Sequence, residues 1–259
     1  MPDATTHPQN AHPAQTALMQ ELAHVARLHA DRIANPILAG ALQRVATWQS
    51  RRLRMTYADL AAQDRYADAI SFFQTDLYGG ADFAQRDADL ARVVPLMVRM
   101  LPERVLATIA KAVELHALSQ ELDRSLLARL PRADGQFSVA EYCRAYRRMA
   151  KRAERERQTR LTGEIGAALD GYVRKPLIHA ALVMMRHPAR LAGLSALQDF
   201  LERGLGAFRK MNGAALFLAT IDAREKALME AIFAGETAPF PDPLQPQPAA
   251  LAPAAPAPA

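Results

Sequence analysis

The 259-residue chain is half apolar, holds 12 glycines and 6% aromatic residues, and carries a formal net charge of +5. Its long stretches of Ala, Leu, Arg, Glu and Gln lose least on entering a helix, which excludes a β-rich fold, while the apolar share excludes disorder throughout. The single cysteine, Cys143, excludes an internal disulfide and a thiol-built zinc or iron–sulfur site.

The opening residues, MPDATTHPQNAHPAQ, lack the basic stretch and apolar run of a targeting segment. No stretch approaches the roughly 20 apolar residues of a membrane span, so the expected compartment is the cytoplasm. Pro2, Pro8 and Pro13 mark residues 1–13 as a disordered start. Eight prolines from Pro239 onward, interleaved with alanine, mark 237–259 as a disordered tail. The expected helical domain is therefore 14–236.

Leu18, Leu22, Val25 and His29 form the first helical stripe, and Asn35 with Pro36 caps and opens the second helix. A third helix is predicted from Arg65 to Tyr78, stopped by Gly79 and Gly80. Leu90, Val93, Val94, Met97 and Leu101 repeat at helical spacing around a kink or break at Pro95. The longest pattern follows Pro102 and reaches Leu130; its apolar residues fall on two opposed faces, which predicts a central helix. After a loop at 131–135, Ser138 and Glu141 have capping-box spacing ahead of Tyr142, Tyr146 and Met149. Helical patterning resumes at Leu161, then after Pro176, where Met184 and Met185 read as packing residues, and again after Pro188. The last pattern runs from about Gly213 to Phe233. No alternating run suggests a strand. The expectation is an all-α fold: one compact domain of eight or nine helices.

Within the third helix stand Phe72, Phe73, Gln74, Thr75, Asp76, Leu77 and Tyr78. Further on come Glu114-Leu115, Glu121-Leu122-Asp123, Phe200-Leu201-Glu202-Arg203-Gly204, Ala207-Phe208-Arg209-Lys210-Met211 and Phe217-Leu218-Ala219-Thr220-Ile221 with Arg224-Glu225. This pattern resembles a bacterial family named after its FFLEELY motif, across most of the body. Gln74 and Thr75 depart from the motif, and Asp76 keeps a carboxylate. The resemblance implies a fold type and supplies no catalytic residues. Read physically, Tyr66, Ile70, Phe73 and Leu77 form a core stripe, while Phe72 points away from it, toward a second helix or a docking partner.

Between Arg144 and Arg160 lie eight basic and two acidic residues, a net +6 that contains the whole surplus of the chain. On one continuous helix, Arg144, Arg147, Arg148, Lys151, Arg152 and Arg155 share a face, and Tyr142, Tyr146, Met149 and Ala153 lie opposite. Such a face is either solvated or the contact for an acidic surface. The aspartate-rich stretch from Asp59 to Asp89 is one internal candidate, and a nucleic-acid backbone is a weaker option lacking an aromatic stacking platform.

His29 and His116 continue apolar stripes, and Gln120 and Asp123 follow His116 on one side, a pattern that orients either a core histidine or a pocket imidazole. Only one Glu-x-x-His pair, Glu21 with His24, occurs, so no metal-ligand set or catalytic residue is assigned. The leading expectation is a non-enzymatic protein-interaction module with no cofactor, meeting a protein partner or a second copy of itself. Its contacts would be the basic helix and the Phe72–Phe73 helix. The alternative is a haem- or metal-dependent helical oxidoreductase centred on His116, with His29 or Glu114 as companions.

Overall fold

The computed structural model describes residues 13–77, 92–93 and 102–245, apart from the side chains of Asp76, Leu77 and Ala181. Tyr78, the glycine pair, Asp82 to Leu90 and Val94 to Leu101 lie outside the described residues, as do 1–12 and 246–259.

Ten α-helices and no strand occur among the described residues: α1 Pro13–Ala34, α2 Pro36–Thr56, α3 Ala58–Ala61, α4 Asp64–Phe72, α5 Glu103–Leu127, α6 Val139–Arg148, α7 Arg152–Val173, α8 Pro176–Leu191, α9 Ser195–Met211 and α10 Ala215–Ala234. The fold is all-α, as expected. Pro13 is the first residue of α1 rather than part of a loose start, a position where the missing N–H costs nothing. Asn35 caps α2 by accepting from the Leu38 N–H at 3.0 Å, and Ser138 and Glu141 form the anticipated capping box of α6.

The long helix α5 is central because its faces serve different neighbours. Leu106, Ala110, Val113 and Ala117 pack on Ala14, Leu18, Leu22 and Val25 of α1. Leu118 and Leu122 meet Leu161 of α7. Leu126 enters a core with Val45, Trp48, Tyr142 and Tyr146, where Trp48 stacks on Tyr142 at 4.5 Å between ring centroids. A further core gathers Tyr57, Tyr66, Ile70, Phe208, Met211 and Phe217.

The two separated segments of the motif resemblance meet. Phe72 is buried, its ring 5.2 Å from that of Phe200, and it lies across Gly204, where a Cβ would come within 2.8 Å of the Phe72 Cζ. Phe73 turns the other way, onto Phe217. The adjacent phenylalanines thus lock two different helices, and Phe72 has no surface to offer a docking partner.

Three expectations are corrected. The basic stretch is not one helix: α6 ends at Arg148, Ala150 takes a left-handed φ of 54°, and α7 starts at Arg152. Residues before and after that break therefore share no common face. Pro188 does not end α8, which runs on to Leu191; the carbonyl its missing N–H leaves free belongs to water-exposed Met184. Nor does packing stop at residue 236: Phe240 is buried against Trp48 and Tyr142, because its ring repays ordering the first part of a proline-rich segment.

Candidate functional site

A cavity of about 100 Å³ lies between the Trp48 core and the Tyr66 core. Helix α2 contributes Gln49 and Arg52, α5 Ser119 and Asp123, α6 Tyr142 and Tyr146, α7 Arg155 and Gln158, and α10 Glu225. Phe73 and Gln74 reach it from a π-helical turn, Phe73–Leu77, that continues α4. Such one-turn widenings recur at functional sites. The Ser50 hydroxyl donates to the Gln74 carbonyl at 3.3 Å, tying this turn to α2.

Charges buried in a helical protein are costly unless paired, and two of the cavity's ions are paired well. The Arg52 guanidinium donates to both oxygens of Glu225, at 2.6 and 3.2 Å, and the Tyr57 hydroxyl donates to the same carboxylate at 2.6 Å. Burial pushes the Glu225 carboxyl up, but the charge of Arg52 and these hydrogen bonds outweigh it and hold the group below the usual carboxylate range. Arg52 is correspondingly raised, the opposing effect of burial being overcome by Glu225.

Arg155 is paired differently. It is 7% exposed, and one terminal nitrogen donates to the neutral Gln158 amide oxygen at 3.0 Å. Its guanidinium lies 4.7 Å from the Tyr146 ring centroid. The Nε and the other terminal nitrogen are buried without any hydrogen-bond partner. Gln158 passes the chain on to the Ser119 hydroxyl at 2.8 Å. Opposite, Asp123 accepts from the Gln49 amide at 2.7 Å, and Tyr142 donates to Gln49 at 3.4 Å. Burial raises the Asp123 carboxyl above its ordinary range, against the Gln49 hydrogen bond and the charges of Arg155 and Arg32. At the rim, Thr159, Thr162, Gly163 and Asp222 are half-exposed, and a Cβ on Gly163 would meet nothing within 4 Å.

The sequence-predicted residues disperse. Of the six basic residues, only Arg155 reaches the cavity. Arg147 donates to the Ile232 and Glu236 carbonyls at the end of α10, Arg152 pairs with Glu230 and covers the Phe233 ring, and Lys151 pairs with Glu154. Arg144 and Arg148 are exposed. Of the aspartates expected to face this segment, three among the described residues pair elsewhere: Asp59 with Arg224, and Asp64 and Asp68 with Lys210.

His116, Gln120 and Asp123 do not form one constellation. Gln120 and His116 are hydrogen-bonded to each other at 2.9 Å, whereas Asp123 turns into the cavity beside Ser119, one helical turn earlier. His29 is half-buried on α1 and away from the cavity, and Glu114 pairs with Arg157. Among the described residues, no group of three or more His, Cys, Asp and Glu side chains is arranged to hold a metal ion. Cys143 is fully buried, its thiol pushed up to about 11 by burial, as a packing residue would be. Among the described residues, no helix is long and apolar enough to cross a membrane.

The family model of a domain of unknown function, DUF8198, matches residues 12–239. The chain belongs to that family. No curated protein and no solved structure matches it. The matched span contains the whole cavity lining and stops one residue short of Phe240.

Sequence reasoning missed Arg52 and Glu225 and placed Arg155 on the surface. One signal was available: Arg155, Gln158, Thr159 and Thr162 recur at the i, i+3, i+4, i+7 spacing of a buried face, written in polar residues.

Proposed function

We propose that this protein binds a small anionic molecule in its interior cavity and holds it through Arg155. The observation that carries the reading is the pair of buried guanidinium donors without partners. Most buried donors in folded proteins are satisfied, and an oxyanion satisfies two at once in the fork geometry of arginine. Arg52 uses both terminal nitrogens on Glu225 and keeps only its Nε unpartnered, so Arg155, with two unpartnered donors and no carboxylate against it, is the cation left for a ligand. A cavity of about 150 Å³ takes up benzene, so one of about 100 Å³ suits a ligand smaller than benzene.

Calorimetric titration of the protein with acetate, propionate, phosphate and sulfate tests this. Saturable binding by one of them, lost in Arg155→Gln with helical content unchanged, is the expected result. Absence of saturable binding for all four, or binding unaffected by Arg155→Gln, overturns the reading.

A second reading, contact with another protein or a second copy, is favoured by α8, where Leu177, Met184 and Leu191 are about four-fifths exposed (82%, 77% and 77%) and Met184 and Met185 are not the packing residues their spacing implied. Light scattering on wild type and Met184→Glu decides it: an oligomer that the substitution dissolves supports contact, and a monomer in both removes self-association. Kinship with the FFLEELY-motif family is also our proposal, supported by the meeting of Phe72, Phe200 and Gly204.

A further inference from the structure

Arg155 and Asp123 face the same cavity, and among the described residues neither has an ion-pair partner within 4.0 Å. In the free protein the two balance each other at a distance, Arg52 and Glu225 forming a neutral pair beside them. A ligand oxyanion that draws the two buried, unpartnered donors of Arg155 toward the cavity would place a second anion in the roughly 100 Å³ that Asp123 already faces. Two carboxylates sharing one site of this size raise each other's proton affinity, so one of them takes up a proton.

We propose that the cavity takes up a small monocarboxylate together with one proton, the proton lodging on Asp123. The inference rests on the ligand reading above. In the complex the ligand carboxylate accepts from the Arg155 Nε and its free terminal nitrogen. Asp123 becomes a neutral carboxylic acid that keeps its acceptor role toward Gln49. The charges then balance: Arg155 against the ligand, Arg52 against Glu225, Lys226 against Asp222 at the rim, and Asp123 neutral. A dianion such as hydrogen phosphate would leave one negative charge unmatched, which sets the preference for a monoanion.

The groups around Asp123 agree with that assignment. Helix α2 presents Gln49 as donor and Arg52, already engaged by Glu225 of α10; α1 presents the charge of Arg32; α6 presents Tyr142 through Gln49; α7 presents Arg155. Of the cations, Arg155 is the one whose field a ligand would neutralise. Burial already favours the protonated form of Asp123, and losing the opposing charge of Arg155 favours it further.

The test is calorimetry of the full chain with sodium acetate and sodium propionate at pH 8, in two buffers of different ionisation enthalpy, with phosphate and sulfate as comparison arms. The expected result is uptake of about one proton per carboxylate bound, with Kd rising about tenfold per pH unit on the alkaline side. Asp123→Asn is expected to bind the carboxylates without proton uptake and without that pH slope. Carboxylate binding to wild type with no proton uptake overturns the linkage and leaves the ligand reading standing. A pH slope retained in Asp123→Asn also overturns it, as does tighter binding of phosphate or sulfate without proton uptake. Absence of any binding in both proteins overturns the ligand reading itself. The buffer comparison on wild type needs no variant, so a poorly folded Asp123→Asn does not spare the proposal.

Discussion

Arg155→Met distinguishes a cation buried for a ligand from one buried to hold the fold. The methionine keeps most of the stem packing, so the change is confined to the guanidinium. Lost are the hydrogen bond to Gln158, about 1.5–3 kcal/mol for a charged donor, and the contact with the Tyr146 ring, about 0.5–2 kcal/mol. Removed with them are two stranded donors that cost about 1–3 kcal/mol each. The two sides nearly cancel. In the absence of ligand the variant is therefore expected within about 1 kcal/mol of wild type, a Tm change of no more than about 4 °C for a body of this size. With carboxylate at a hundred times its Kd, wild type gains about 2.7 kcal/mol and the variant gains nothing. Urea titration and thermal melts with and without acetate read both quantities. A loss of about 3–5 kcal/mol without ligand, the cost of breaking a structural ion pair, would refute the reasoning, because Arg155 would then be holding Asp123 and Glu225 in place.

Other consequences concern the frame around the cavity. Glu225→Gln strands Arg52 and is expected to lower stability by about 3 kcal/mol near neutrality. Because the Glu225 carboxyl is held below the usual range, its contribution is present above that range and fades as pH falls through the lowered value, so the deficit of the variant in urea titrations should shrink in acid. Gly204→Ala drives a methyl into the Phe72 ring and should cost about 1–3 kcal/mol, most of it recovered by adding Phe72→Leu. Ala150→Gly relieves the left-handed backbone between α6 and α7; after the entropy glycine adds to the unfolded chain, a gain of about 0.5 kcal/mol is expected in thermal melts. Ending the chain after Glu236 removes Phe240 from Trp48, at a cost of about 3 kcal/mol in urea titration, with a red shift in the fluorescence of the only tryptophan.

Local rules written along the chain determined its helices. Asn35 with Pro36, the Ser138–Glu141 capping box, and the stripes on α1 and α5 act over three to seven residues and act the same way in any surroundings. The core role of Phe73 and the packing role of Cys143 were legible on the same ground. Where local rules were silent, tertiary structure decided. The break at Ala150 falls on the best helix former, with no glycine or proline to announce it, and it turns Arg155 inward while Arg144 and Arg148 stay in water. Asp123 was legible as a polar residue on a buried helix, but its separation from His116 depended on which line of α5 faces the cavity. Arg52 meets Glu225 across 173 residues of chain, a pairing no spacing rule can express. Composition and periodicity thus established an all-helical body with a concentrated basic segment. Only the packing of six elements around one cavity decided which of those charges lost its water, because desolvation depends on what surrounds a group and not on its place in the sequence.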